Sequence, residues 1–247
     1  MLPDLQALMA NLHTAVNSAK RVGKGKTGSL NIGYGSLTLM NSVFRATIKQ
    51  FRESYPDVSL SLVELPTHEQ PRALADKRIH AGFMHFGPGR TLLRKKRNAG
   101  ESSQDDTVLD WINIQEGGLG VVMPKEHRLA RKKAVTLVDL KEEQFVVVPQ
   151  GSISPGYGPL FALCQEVGYE PQIVQEVGTI ASQLNLISVG MGIGLIATGR
   201  NFSYPSDLVV LPLNEVSYST SFVFAWVKGE NSPALDRMIE IIAALSK

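Results

Sequence analysis

Cysteine is nearly missing from this 247-residue chain, in which Cys164 stands alone. One thiol can form no internal disulfide and cannot supply the clustered thiolates of a structural zinc site. In the stretch LFALCQEVGY, residues Leu160, Phe161, Leu163, Cys164 and Val167 follow helical spacing, which predicts an inert thiol packed in a core. Net charge is scarce as well, at +2. Phosphate backbones are bound by clustered Lys and Arg, so this balance excludes a nucleic-acid surface spread over the whole chain. Long apolar runs are absent too. The N-terminal MLPDLQALMANLHTAVNSAK is interrupted by Asp4, Gln6, Asn11 and His13, and no basic segment precedes it. It is not read as a secretory leader, and no membrane span is expected.

Patterns for catalysis and metal binding are likewise missing. His13, His68, His80, His85 and His127 show no compact ligand spacing. Asp105 and Asp106 are neighbouring loop charges rather than a positioned acid and base. The stretch GSISPG lacks the pattern of a nucleophile elbow. GMGIG imitates part of a dinucleotide fingerprint, but its glycines follow a helix and lead into a strand, the reverse of the order that seats a pyrophosphate on a helix N-terminus. Packing and turn formation are its expected roles. The sequence therefore points to no enzyme, no cofactor and no metal.

What the chain does contain is order. Leu2, Leu5, Met9, Leu12, Val16 and Ala19 alternate steps of three and four, the seam of a heptad helix. Such a seam serves either a short helix docked on its own domain or a pairing of two helices, and pairing is the expectation taken here. RVGKGKTGS then supplies a basic, glycine-rich linker. From residue 28 onward strands and helices alternate: SLNIG, a helix with Met40, Val43, Phe44, Ile48, Phe51 and Tyr55, VSLSLVE, EQPRALADKR as a short helix, and HAGFMHF. The order repeats with FVVVP, a helix over 160–167, QIVQEV, a helix over 180–189, and GIGLIA. Two βαβαβ units predict an α/β fold with two mostly parallel sheets and hence two lobes. TSFVFAWV and the stripe Leu235, Met238, Ile239, Ile242 and Leu245 are expected to cross back to the first lobe. Between the halves, residues 88–106 read as a solvated charged loop with a basic run at Arg94 to Arg97.

In open α/β sheets ligands bind beyond the carboxyl ends of strands, where helix N-termini present free N–H groups and partial positive charge. Four such joins occur, in YGSLT, LPTHE, PQGSISPGY and EVGTIAS, and each carries Ser or Thr. If the lobes face each other, the joins converge on one cleft suited to a small anion such as a carboxylate. Ser36, Thr67, Ser154 and Thr179 also suit simple helix capping, and the two roles can coexist.

GSLNIGYGSLTLMNSVFRATIKQFRESYPDVSLSLVE, ALADKRIHAGFMH, VVMPKEHRLA, LVDL, CQEVGYEPQIVQEV and LISVGMGIGLIA together resemble successive landmarks of the effector-binding domain of LysR-type transcriptional regulators. The resemblance implies two Rossmann-like βαβ lobes of the type II periplasmic-binding-protein fold, preceded by the end of a linker helix. It divides the chain into 1–27 as linker, 28–115 plus 219–247 as lobe I, and 116–218 as lobe II. It implies an effector contacted by Ser36, Leu37, Thr38, Thr67 and His85 from lobe I, and by Ser154, Pro155, Tyr157 and Ile180 from lobe II, the SISPGY loop resembling that of regulators of aromatic-compound degradation. A homodimer or homotetramer in the cytoplasm is implied, with RNA polymerase as a further partner. DNA would be reached only through an N-terminal helix-turn-helix, which does not precede these residues, so the chain resembles a truncated regulator. An extracytoplasmic solute-binding protein of the same fold is the competing reading. Two positions depart from the family pattern: His80 where many relatives have Asp, and Arg128 where Pro is usual.

Overall fold

The computed structural model describes residues 27–86, 108–149, 157–214, 218–230 and 232–246. The N-terminal heptad, the charged loop 88–106, and Ser154 and Pro155 lie outside the described residues.

The first lobe is built on three parallel strands: β1 (Gly28–Tyr34), flanked by β2 (Val58–Glu64) and β3 (Ala81–Phe86). Leu30 and Ile32 of β1 alternate into the core, while β3 is buried on both faces and is apolar apart from His85. Between β1 and β2 runs α1 (Ser42–Ser54), which turns Val43, Phe44, Thr47 and Phe51 inward. It ends at Tyr55, as the following Pro56 requires. The short helix α2 (Gln70–Ala75) joins β2 to β3. Phe83 anchors this core, with Phe44 edge-on at 5.0 Å between ring centroids and Phe224 at 4.7 Å.

The second lobe repeats the pattern with β5 (Gln144–Val147), α3 (Tyr157–Glu166), β6 (Gln172–Glu176), α4 (Ile180–Ser188) and β7 (Gly194–Thr198). Its core holds Phe145, Leu140, Leu160, Ile193 and the free, fully buried Cys164. Burial pushes that thiol's pKa up, which keeps it protonated and inert.

The sheets are less separate and less parallel than the repeat suggests. One seven-stranded mixed sheet runs through both lobes, because the 16-residue β4 (Leu109–Pro124) belongs to each. Its first part pairs antiparallel with β9 (Thr220–Val227), and its second part with β7 and β8 (Leu208–Pro212). β9 then pairs antiparallel with β3, and α5 (Pro233–Leu245) packs on α1, so the chain returns to the first lobe. A chain that leaves a lobe and comes back through neighbouring strands must run them in opposite directions, which makes the sheet mixed. The pair β5–β6 forms a separate ladder, bridged from Phe145 to Ile193, the residue that precedes β7.

Candidate functional site

The stretch GSLT does not open directly into a helix. After β1, Ser36–Met40 forms a tight 3-10 turn, closed by Thr38 N–H donating to Gly35 O at 2.9 Å. Helix α1 starts only afterwards, capped by Asn41, whose Oδ1 accepts from the N–H groups of Val43 (2.9 Å) and Phe44 (3.3 Å). Ser36 is thus released from capping its own helix. Its Oγ accepts instead from Ile180 N–H of the other lobe, at 3.4 Å. Ile180 is the first residue of α4, and its N–H is one of the donors that a helix cannot satisfy internally. Thr179 caps the same helix, accepting from Ser182 N–H at 3.1 Å. The N-terminus of α4 is therefore held by one hydroxyl from each lobe.

Leu37 is buried among Val122, Val146, Leu184, Ile187 and Ile196, so a side chain of the first lobe completes the second lobe's core. Thr38 is fully buried, and its Oγ1 has no hydrogen-bond partner among the described residues. Thr67, in the turn before α2, does not cap that helix; its Oγ1 accepts from His85 N–H at 3.3 Å. His85 lies at the end of β3 and is only 6% exposed. Its ring stacks on Phe222 at 4.3 Å and lies 5.6 Å from Phe202. Burial lowers its pKa to about 3, so the imidazole is neutral near pH 7, and Nε2 has no partner among the described residues.

The structure therefore brings Ser36 together with Ile180, and Thr67 with His85. Tyr157 opens α3. Among the described residues no group of His, Cys, Asp and Glu could hold a metal ion. No described helix is long and apolar enough to cross a membrane.

This two-lobed arrangement has a counterpart in known proteins. The model of the LysR substrate binding domain matches residues 23–246. The chain belongs to the LysR family of transcriptional regulators. The HTH-type transcriptional regulator ShiR of Corynebacterium glutamicum (strain R) is 36% identical over 246 residues, covering 100% of this chain and 78% of the relative. Full-length CbnR, solved in complex with its target DNA, superposes with a TM-score of 0.69 at 19% identity, covering 100% of this chain and 78% of CbnR. The BenM effector binding domain with its effector benzoate gives a TM-score of 0.64 at 22% identity, covering 88% and 91%. These two likenesses speak for the fold.

Within this LysR domain several polar and aromatic residues near the lobe junction had not been singled out from sequence. Asn41 and Gln115 are buried there, and Phe202 forms an antiparallel bridge with Asn41 while its ring lies beside Tyr204 at 6.1 Å. Tyr204 donates its hydroxyl to Ala197 O at 2.6 Å, and burial raises its pKa. Asn41 carried a signal, since Asn ahead of an apolar helical stripe is a standard cap; Gln115 and Phe202 carried none. Two departures from the family pattern find local partners. His80 Nδ1 accepts from Asn31 N–H at 2.9 Å, and Arg128 pairs with Glu143. The GMGIG stretch is turn and packing: Gly190 has φ of 82°, and a Cβ on Gly192 would lie 2.5 Å from Gln144 O.

Proposed function

We propose that this chain is the effector-sensing part of a LysR-type transcriptional regulator and binds a small carboxylate, of the kind met in aromatic-compound pathways, between lobe 28–115 plus 219–247 and lobe 116–218. Ser36, Thr38, Thr67 and His85 supply polar contacts, and Leu37, Ser154, Pro155, Tyr157 and Ile180 complete the cleft. The observation that carries this reading is the bond between Ser36 and Ile180, in which a hydroxyl of one lobe occupies a free N–H at a helix N-terminus of the other. A carboxylate oxygen suits that N–H better than a hydroxyl does, because it brings negative charge to the positive end of the helix. The neutral His85 offers a hydrogen bond and no ion pair, so the anion is held by hydroxyls and backbone N–H groups. The benzoate found as effector in BenM and the DNA bound by full-length CbnR support the reading by kinship.

Binding acts by population shift. A ligand that touches both lobes favours one arrangement by its differential affinity, and the arrangement is relayed through a homodimer or homotetramer to DNA and RNA polymerase. Its function is to bind, not to catalyse, and its place is the cytoplasm.

Calorimetric titration with benzoate and a panel of aromatic and aliphatic carboxylates is the test. At least one carboxylate is expected to bind, and Ser36→Ala to weaken it about ten- to a hundred-fold, since a lost hydrogen bond to a charged ligand costs roughly 1.5–3 kcal/mol. Unchanged affinity in Ser36→Ala, or no binding across the panel, counts against the proposal.

A further inference from the structure

Gln115 lies where β4 passes from one lobe to the other, at an irregularity in its pairing with β9 between Asn113 and Gln115. It is buried, and its Oε1 accepts from two directions: from Asn41 Nδ2 at 3.4 Å and from Asn201 N–H at 3.3 Å. Asn41 caps α1 in the first lobe. Asn201 belongs to the loop that follows β7 in the second. The two segments are also laced together directly, with Ser42 N–H donating to Asn201 O at 2.8 Å and Ser203 N–H to Met40 O at 2.9 Å. The packing around the side chain is tight. A Cβ on Gly199 would lie 1.8 Å from Gln115 Nε2, and one on Gly117 would lie 1.8 Å from Thr198 O.

We infer that Gln115 is a positioning residue that fixes the angle between the two lobes, and with it the approach of Ser36 to Ile180. One side-chain oxygen takes N–H groups from both lobes. If either lobe rotates, a buried amide loses its partner, which opposes the motion. Asn41 follows directly on the turn that carries Ser36, Leu37 and Thr38, so whatever holds Asn41 also holds those groups against α4. An effector then acts on an angle that the protein has already pinned, and the strength of this pin sets how far binding can move it. The link to an effector rests on the proposed function; the pinned angle is a property of the chain alone.

Three substitutions separate the chemistry. Gln115→Glu keeps the accepting oxygen. Gln115→Leu removes it at similar size. Gly199→Ala leaves Gln115, Asn41 and Asn201 unaltered but pushes the Gln115 side chain out of its seat. Spin labels at Arg52→Cys on α1 and Glu166→Cys on α3, both exposed, in a Cys164→Ala background report the distance between lobes by pulsed electron resonance without any effector. The parent and Gln115→Glu are expected to give the same narrow distribution, and Gln115→Leu and Gly199→Ala a shifted or broadened one. If Gln115→Leu does not fold, Gly199→Ala decides. A lowered melting temperature with the parental distance distribution in Gly199→Ala would make Gln115 a merely structural residue and overturn the inference. Repeating the measurement with benzoate distinguishes the two proposals. Shifted effector-free distances with no benzoate response leave the positioning role standing and count against benzoate as effector.

Discussion

A buried hydroxyl without a partner destabilises the protein that carries it, and that of Thr38 has none among the described residues. Thr38→Val keeps the shape and removes the unsatisfied oxygen, so it is expected to raise stability by about 1 kcal/mol in chemical denaturation while weakening carboxylate binding. A loss of stability would mean that the hydroxyl is satisfied in the resting protein. His85 gives a pH signature. Its folded pKa of about 3 lies below the ordinary value near 6.5, so between these limits the unfolded chain holds the extra proton. Stability from its burial is therefore full above about pH 6.5 and falls as pH drops from there toward 3, by up to about 1.4 kcal/mol per pH unit. Denaturation midpoints across that range should show a slope smaller by one proton in His85→Leu; parallel curves for the two proteins would contradict the neutral, buried assignment. At this scale the sequence was informative about kind and not about partner. Hydroxyls at the four joins could be read directly, but only the fold decides that Thr179 caps its own helix while Ser36 reaches across to Ile180.

The Ser36–Met40 turn is the element on which the account depends, because it belongs to one lobe by connectivity and to the other by packing through Leu37. Asn41 sets where that turn ends and α1 begins. Asn41→Ala removes the acceptor for two N–H groups and the donor to Gln115, so it is expected to lower stability by about 1–2 kcal/mol, at the upper end for a helix cap. A change near zero in a urea titration would show the cap to be dispensable. The amphipathic helices and the two buried parallel strands β1 and β3 were legible because their apolar spacing is regular. β4 was not. Gly117, Gly118 and Gly120 break its alternation, and Thr198 and Leu211 press on the strand at Gly117 and Gly120, where a Cβ would not fit. Polar residues at 113, 115 and 116 hide the rest: Asn113 and Glu116 face solvent, and Gln115 is buried at the lobe junction.

For the whole molecule, the two-lobed plan followed from the repeated strand and helix order, whereas the single mixed sheet that joins the lobes did not, because pairings such as β4 with β9 connect residues about a hundred positions apart and leave no local pattern. The joins after β1 and β6 meet where Ser36 reaches Ile180, and the proposal that matters is that an anion is received there. Amide and imidazole nitrogen resonances of the isotopically labelled chain, followed during titration with benzoate, test this most directly. If the anion is received there, the Ile180 and Thr38 amides and the His85 ring nitrogens shift together along one saturable curve, and Ser36→Ala moves the midpoint to higher benzoate concentration. Saturable shifts confined to residues away from both Ser36 and Ile180 would contradict it.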